Sequence, residues 1–474
     1  MITLWSGSLS VTSTFIAHGG RGGNAPYSGR HGGGGAGGHL LIWNGQFNMG
    51  GAVDLQGGQA GQGEANFQNP PGGGTGGRIT LHGGVFNGSS EQIDLRGGDG
   101  APYYFGSQGY ATGPQGGNGG SIAVSGGEFQ LHGSLFGDGG GGTSSLRETL
   151  TSGYSIAGHG GHGGQITLTG GLFTLAAPGA SISLTGGNGG YIGGPFSGYG
   201  GDGGNGGNIN LSGGTFNFSQ GSINLSAGNG GSGNAQYGAN GTHGTFSVAG
   251  GTLVTTTPGF LDSNLTGNLA LNSGVIRFTG TGGTIGAGGK LATALGGGLG
   301  AGATVEFDHA VTFGADLTFN AGSALVLHDD ATVATGTAFT LNSGAILGFY
   351  LGQTVSSTLF IADGATISGP SYGPIYFDFH DLGDFAAGTY DLITCFEVFE
   401  HVTDPRALAA RLDALLAPDG LMLVSTLVSD GQIAPGKPLT WWYAAPRNGH
   451  VSLHSRESLD RLASRQGWRF ASFS

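Results

Sequence analysis

The sequence predicts a mainly β fold: a right-handed parallel β-helix, or solenoid, of Gly-rich repeats followed by a partial α/β segment. Three observations support this prediction. A pattern of short strands recurs at a period of about 43 residues, glycine makes up 109 of the 474 residues, and the composition changes abruptly near Thr389. A fixed period of this length is typical of proteins whose repeats stack on their neighbours. We therefore divide the chain into Gly-rich repeats (1–250), β-helix rungs (251–388) and the α/β segment (389–474).

The repeat is clearest in residues 163–190. Apolar residues alternate there with small polar ones, as in Ile166 and Leu168 and again in Ile182 and Leu184. This period of two is typical of a half-buried strand. The Gly-Gly pairs between the strands predict sharp corners, because glycine adopts positive φ without a steric penalty. Similar text begins at Gly37, Gly76, Gly119 and Gly206.

The remainder of the β region differs in its connectors and in its strand spacing. Long Gly-rich stretches such as 191–205 are either loops that project from one face, where binding would occur, or solvated spacers. From residue 251 the glycine content falls and shorter rungs follow, with apolar residues alternating and NSG or NAG at the corners. Because asparagine tolerates the left-handed conformation that such corners need, we expect an inward ladder of Leu, Val and Phe.

Composition excludes several classes of function. The net charge of −13 argues against a nucleic-acid partner, because binding to phosphates requires positive charge. The single cysteine, Cys395, excludes an internal disulfide and a cysteine-based zinc site. No run reaches the roughly 18 apolar residues of a membrane span. Residues 1–7 lack the basic and apolar regions of a signal peptide and fall inside a repeat, so we expect a truncated piece of a longer, exported parent.

Two possible metal motifs occur among the repeats. The GGNGG and GGDGG runs are similar to calcium-binding nonapeptides, but Ser121 and Asn208 stand where that motif needs aspartate. Since calcium prefers carboxylate oxygens, we reject a calcium site. His159 and His162 form an isolated pair without a nearby cysteine. We interpret the pair as part of a solvated loop, with a metal site as the alternative.

The segment after Tyr390 has the pattern of a strand–helix–strand unit. A buried strand over 392–396 leads into an acidic turn that contains histidine. Asp404 is the expected N-cap of a helix, with Pro405 at its first position. A Pro-Asp-Gly turn then leads into a second strand over 421–428. This order suits one half of a doubly wound parallel sheet.

Residues 1–394 resemble the Gly-rich passenger regions of bacterial autotransporter-type surface proteins. The alternating rungs, the NSG and NAG corners and the closing stretch 359–394 carry this resemblance. It implies a secreted or surface structural or adhesive role for the parent protein, with an unknown surface ligand or matrix as its partner. It also implies an extracellular or cell-surface location.

Residues 390–474 resemble the C-terminal half of a class I S-adenosylmethionine-dependent methyltransferase. The pieces that match are 390–393, 397–405, 415–420, 441–450 and 454–456. The E-x-x-E-H element implies that Glu397, Glu400 and His401 hold a divalent cation beside the acceptor. His450 would then lie near the acceptor, and His401 and His450 would be the catalytic residues. In the alternative, Glu397 and His401 only shape the strand end and cap the helix.

The same resemblance places the cofactor site elsewhere. In that family a Gly-rich turn and an acidic residue hold the cofactor, and both lie upstream of the segment matched here. We therefore expect no cofactor-binding residue and a catalytically silent fragment, joined to the repeats at 388–394 in a chimeric reading frame. The favoured function is a structural or adhesive solenoid. The alternative is a cytoplasmic methyltransferase of a small molecule that uses S-adenosylmethionine and a divalent cation and needs a missing cofactor-binding half.

Overall fold

The computed structural model divides the chain into two compact units, Met1–Asp378 and Phe379–Ser474. The structure describes residues 1–25, 31–65, 70–88, 91–101, 103–105, 111–146, 155–193, 198–296, 298–342, 345–349, 359–361, 366–368, 390–434, 436, 438–444 and 450–471. The predicted boundary at 388/389 and part of the predicted junction at 388–394 lie outside these residues. The three-part division of the chain therefore stays a prediction.

The first unit is built around a 15-stranded sheet in which every described pairing is parallel. Its continuous path runs through Ile2–Leu4, His39–Ile42, Arg78–Leu81, Ser121–Val124, Gln165–Leu175, Asn208–Phe218, Thr245–Thr255, Asn268–Phe278, Ala303–Phe307, Ala324–Leu327 and Ile346–Phe349. Four shorter strands extend its early part: Ser8–Val11, Gln46–Met49, Val85–Asn87 and Glu128–Leu131.

Smaller parallel sheets complete this unit. The seven-stranded sheet contains Phe15–Ile16, Val53–Asp54, Ile93–Asp94, Ser134–Phe136, Ser181–Ser183, Ser222–Asn224 and Leu265–Thr266. The four-stranded sheet contains Thr284–Gly286, Val311–Gly314, Ala331–Val333 and Leu359–Ile361, and a three-stranded sheet contains Leu317–Phe319, Ala338–Leu341 and Thr366–Ser368. Short strands form three further small sheets: Gly63–Ala65 with Tyr103–Phe105, Ser145–Leu146 with Ile192–Gly193, and Ala111–Thr112 with Ser155–Ile156 and Gly198–Tyr199.

Equivalent positions of successive repeats pair with one another. Ser121 is the register partner of Arg78 in the preceding repeat and of Gln165 in the following one. As a result, identical side chains stack in columns between the sheets. The rings of Phe86 and Phe129 stack with centroids 4.4 Å apart, and those of Phe129 and Phe173 follow at 4.7 Å. Stacked aromatic rings at these distances add to the stabilisation that burial provides.

The predicted fold class, a right-handed parallel β-helix or solenoid, is wrong. In the described part of the chain the strands form large, open parallel sheets with few helices, and no sheet closes or coils on itself. One physical reason lies at the Gly-Gly pairs, which we interpreted as corners. Gly170 and Gly171 lie inside the continuous strand Gln165–Leu175, where Gly171 has φ +77° and the pairing register shifts. Glycine there permits a bulge within the strand.

The Gly-rich stretches between these strands are closely packed. In 198–205, part of a stretch predicted as a loop or spacer, Gly201 and Gly204 are buried and Asp202 and Asn205 are exposed. An added Cβ at Gly204 would lie 1.9 Å from the carbonyl oxygen of Gly161. Burial and exposure recur every third residue, which matches the three residues per turn of a polyproline II helix. The buried positions that face a neighbouring segment therefore need glycine, because they have no room for a Cβ.

Helices are short and few in the described residues. The first unit contains Pro258–Asn264 and Lys290–Leu295, and the second contains Pro405–Leu415, Arg456–Arg465 and the 3-10 turn Phe399–His401. No helix in the described part of the chain has the length and apolar character needed to cross a bilayer.

The second unit has a Rossmann-like α/β arrangement. The first C-terminal strand, Tyr390–Phe396, pairs in parallel with the second, Leu416–Ser425, and the helix Pro405–Leu415 connects them. Asp404 caps this helix by accepting hydrogen bonds from the Arg406 and Ala407 amides, as predicted. The helix packs on one face of the sheet through a core of Cys395, Phe399, Leu408, Ala409, Leu412 and Leu415.

Candidate functional site

The candidate residues lie where the two C-terminal strands end. In parallel α/β sheets, ligands bind beyond the carboxyl ends of the strands, so this is the expected edge. Glu397 follows the first strand directly and has φ +54°, a left-handed conformation that is uncommon for a residue other than glycine. Its amide donates to the carbonyl of Ser425 at 2.8 Å. The backbone at this position is held in a sparsely populated conformation, a feature that clusters at functional sites.

The hydroxyl of Tyr443 joins the two candidate carboxylates. It lies 2.8 Å from Glu397 Oε2 and 2.6 Å from Glu400 Oε1. The opposite oxygen of Glu397 accepts a hydrogen bond of 2.9 Å from the Ser425 hydroxyl. Tyr443 is itself buried, with 3% of its surface exposed. A residue from the loop beyond the second strand therefore fixes both side chains of the E-x-x-E element.

Glu400 is the most deeply buried member of the site. Its side chain is fully buried, and its Oε2 has no hydrogen-bond partner in the described structure. A buried carboxylate oxygen without a partner is costly unless a cation or a proton compensates it. One ligand atom each from Glu400, His401 and His450 lie within 4.8 Å of one another. One carboxylate and two imidazoles form a chemically suitable set for a divalent transition metal.

The hydrogen bond of His450 determines which of its nitrogens is available. Its Nδ1 lies 2.7 Å from the backbone carbonyl of Tyr443. A carbonyl only accepts hydrogen bonds, so Nδ1 must carry the proton and, in the neutral ring, Nε2 keeps its lone pair. The rings of His401 and His450 meet nearly at right angles with centroids 4.8 Å apart. His450 can therefore present Nε2 as a metal ligand or as a base.

Three groups at the site have shifted pKa values. Partial burial raises the pKa of Glu397, but hydrogen bonding with Tyr443, Ser425 and Glu400 and the charge of His450 outweigh this effect and lower the pKa overall. Burial first, and then the hydrogen bond to Glu400, raise the pKa of Tyr443, which keeps its hydroxyl protonated as a donor. Burial and the nearby charge of Glu400 raise the pKa of Cys395 to about 12. A thiol of this kind is not a nucleophile at neutral pH.

The structure brings together Glu400, His401 and His450, while Glu397 joins them through Tyr443. Whether these residues act in catalysis or hold a metal stays a prediction. Sequence reasoning assigned no role to Tyr443 or Ser425. Tyr443 belongs to the quoted segment 441–450, and a tyrosine that becomes buried needs a hydrogen-bond partner for its hydroxyl. That requirement could have suggested a contact with the acidic turn.

Comparisons with known proteins find similarity in the same part of the chain. Residues 355–472 match the family model described as a methyltransferase domain. This part of the chain is a methyltransferase domain. The match begins upstream of Tyr390, in residues that we had assigned to the repeats, and it leaves 1–354 outside. The resemblance of the repeats to autotransporter-type passenger regions therefore stays a prediction, as does an extracellular location.

Curated relatives match only a short part of the methyltransferase domain. Ubiquinone biosynthesis O-methyltransferases are 45% identical over 47 residues in Xanthomonas axonopodis pv. citri (strain 306), 49% over 41 in Vibrio campbellii (strain ATCC BAA-1116) and 43% over 47 in Bordetella avium (strain 197N). These alignments cover 9–10% of this chain and 17–20% of each relative. The chain thus spans about a fifth of the relatives it matches. No solved structure matches.

Proposed function

We propose that the C-terminal unit is the acceptor side of an S-adenosylmethionine-dependent methyltransferase that acts on a hydroxyl oxygen of a small molecule. The observation that carries this proposal is the group of Glu400, His401 and His450 at the carboxyl edge of the sheet. The match to a methyltransferase domain implies S-adenosylmethionine as the methyl donor. The choice of oxygen follows the O-methyltransferases among the relatives.

A hydroxyl must lose its proton for its oxygen to attack a methyl group. A divalent cation held by Glu400, His401 and His450 would lower the pKa of a bound hydroxyl. The unpartnered Glu400 Oε2 and the free lone pair of His450 Nε2 support this assignment. Glu397, whose pKa is lowered, is ionised at neutral pH and favours positive charge nearby. When it does not bind a cation, His450 Nε2 is instead placed to accept the proton as a general base.

The described residues of this unit do not fit S-adenosylmethionine by themselves. A nucleotide-type cofactor needs a Gly-rich turn between a strand and a helix. The described turn that follows the first C-terminal strand contains Glu397 and Val398 and no glycine. We derive no step of the reaction through the cofactor. We propose that its binding half comes from residues of this chain beyond those described, with 369–389 inside the family match as one source.

The sheet of this unit also supports the proposal that further residues complete the domain. One face packs on the helix Pro405–Leu415, and the opposite face exposes apolar side chains. Leu392 is 50% exposed, Phe396 54% and Leu421 58%. Parallel sheets of α/β proteins are covered on both faces, so this face is incomplete without another layer. A cofactor-binding half would provide that layer.

The test is methyl transfer by the full chain. The chain is incubated with S-adenosylmethionine labelled in its methyl group and with catechol as a hydroxyl-bearing probe, in the presence of Mn²⁺ or of EDTA. We expect transfer that requires the cation and falls by about 100-fold or more in Glu400→Gln and His450→Ala. Glu457→Gln, at a glutamate 72% exposed on the last helix, is the matched control and should retain full activity. Absence of transfer, or a fully active Glu400→Gln, contradicts the proposal.

A further inference from the structure

A polar groove lies on the Gly-rich segments of the first unit, far along the chain from the proposed methyltransferase site. It has a volume of about 540 Å³ and crosses four successive segments. The polar side chains that line it are Gln115, Asn118, His159, His162, Asp202, Asn205 and Asn240. Because their segments have a three-residue period, all of these side chains except that of Asn240 point away from the glycine faces.

Hydrogen bonds between repeats determine the orientation of the central row. Asn118 Oδ1 accepts from the His162 amide at 2.9 Å, and His162 Nδ1 accepts from the Asn205 amide at 3.0 Å. Asn205 Oδ1 in turn accepts from the Thr242 amide at 2.9 Å. In each case the side-chain acceptor points inward, to a backbone N–H of the next repeat that would otherwise lack a hydrogen-bond partner.

The outward atoms of this row are consequently all donors. An asparagine whose Oδ1 points inward presents its NH₂ group, and a neutral histidine whose Nδ1 accepts carries its proton on Nε2. The outward groups are Asn118 Nδ2, His162 Nε2 and Asn205 Nδ2, and none of them has a partner in the described part of the chain. The donors come from successive repeats that are joined by hydrogen bonds, so they form a row across the segments.

The next row adds an acceptor. His159 Nδ1 accepts from the Asp202 amide at 2.9 Å, and Asp202 Oδ1 accepts from the Ala239 amide at 2.7 Å. Asp202 Oδ2, which lies 3.4 Å from His159 Nδ1, is the carboxylate oxygen that remains for a ligand. A ligand in the groove must therefore accept hydrogen bonds from the donors of the first row and donate a hydrogen bond to Asp202. Hydroxyl groups do both.

From this arrangement we infer that the groove binds a neutral polysaccharide. Sugar hydroxyls would accept from Asn118, His162 and Asn205 and donate to Asp202. An anionic polymer is disfavoured by Asp202 and by the net charge of −13. The groove is open and crosses several repeats, which suits an extended chain better than a single sugar. The row is held rigid by the main-chain hydrogen bonds, so little ordering is needed on binding.

The test is native affinity electrophoresis of the full chain in gels that contain hydroxyethylcellulose or xylan. We expect both neutral polymers to retard the protein and carboxymethylcellulose to leave its mobility unchanged. The double variant Asn118→Asp/Asn205→Asp keeps the inward Oδ1 acceptors, as Asp202 does naturally, but replaces two outward donors by charged acceptors. It should weaken binding by about tenfold or more, because two hydrogen bonds are lost.

The matched control carries the same two charges outside the groove. Asn188 Oδ1 accepts from the Asn229 amide at 2.9 Å in segments that do not line the groove. The variant Asn188→Asp/Asn229→Asp should bind as the unaltered chain does, and unfolding midpoints should show that both double variants fold. Failure of both neutral polymers to retard the unaltered protein overturns the inference. An equal loss of binding in the control variant also overturns it.

Discussion

At the residue scale, a single hydroxyl organises the candidate methyltransferase site. Tyr443 contacts both Glu397 and Glu400, and the Oε2 atom of Glu400 has no hydrogen-bond partner in the described structure. Carboxylates placed close together repel each other when both are ionised. The Tyr443 hydroxyl, which donates one proton and lies between them, holds the pair in place.

Replacing Tyr443 by phenylalanine should therefore destabilise the second unit. The buried Glu400 carboxylate would lose its hydrogen bond from the Tyr443 hydroxyl, at a cost of about 1–3 kcal/mol. Urea unfolding of the full chain, followed by tryptophan fluorescence, measures this loss. Tyr237→Phe is the control, since Tyr237 is 74% exposed, and it should change nothing. The double variant Tyr443→Phe/Glu400→Gln should recover part of the loss. If Tyr443→Phe unfolds at the same urea concentration as the unaltered chain, the network contributes no stability.

The lowered pKa of Glu397 predicts a dependence of stability on pH. A carboxyl group whose pKa is lower in the folded state than its ordinary value of 4.5 stabilises the fold above that pH. The contribution disappears as the pH falls through the lowered folded-state value. Unfolding midpoints between pH 3 and 7 should therefore fall less steeply in acid for Glu397→Gln than for the unaltered chain. Parallel curves for the two proteins would show that Glu397 is not stabilised in its ionised form.

The sequence predicted the site only in part, for a physical reason. Glu400 and His401 are adjacent, so a local motif contains them, and the resemblance to methyltransferases added His450. Tyr443 lies 43 residues after Glu400 and reaches it only because the loop beyond the second strand folds back over the strand ends. A contact of this kind depends on tertiary structure, and no local pattern reports it.

At the element scale, the Gly-rich segments depend on close approach of backbones. A Cβ added at Gly161 would lie 2.0 Å from the Gly117 carbonyl oxygen, whereas one at Gly20 meets nothing within 4 Å. Gly161→Ala should therefore destabilise the first unit by at least the roughly 1–3 kcal/mol of an overpacked core. Gly20→Ala is the matched control and should be neutral or slightly stabilising. The measurement is urea denaturation of the full chain with each substitution. Equal unfolding midpoints for the two variants would show that the segments move apart to accommodate the added methyl group.

The elements themselves followed from the sequence better than their assembly did. The alternation around Ile166 and Leu168 and around Ile182 placed strands where the structure has them. The interpretation of the Gly-Gly pairs as corners was wrong, because positive φ occurs equally well at a corner and in a bulge within a continuous strand. The Gly-rich stretches were interpreted as loops or spacers, since glycine in a polar context usually marks a turn. Their three-residue period of exposure, visible in GHGGHGG, was the signal for packed segments.

At the scale of the whole molecule, the two units are stabilised in different ways. The first unit depends on hydrogen bonds between repeats and on columns of buried apolar side chains, such as the stacked phenylalanines. The second depends on a small core around Phe399 and Leu412 and leaves one apolar sheet face exposed. The amino-acid composition changes near Thr389, in a stretch outside the described residues, and we used that change to separate the two parts of the chain. The methyltransferase match nevertheless starts at residue 355, so composition alone did not mark where that domain begins.

Net charge gives the prediction that belongs to the whole chain. With 28 acidic residues against 15 lysines and arginines, the protein repels polyanions at neutral pH. Binding to duplex DNA gains its non-specific free energy from phosphate neutralisation, which requires clustered positive charge. We therefore expect no binding to a labelled 25-base-pair duplex at protein concentrations up to about 100 μM, the weak end of non-specific affinity. The measurement is fluorescence anisotropy at low salt, because low salt favours any electrostatic binding and therefore makes the test strict. Saturable binding that weakens as salt is added would contradict the prediction and would indicate a local basic surface that the net charge conceals.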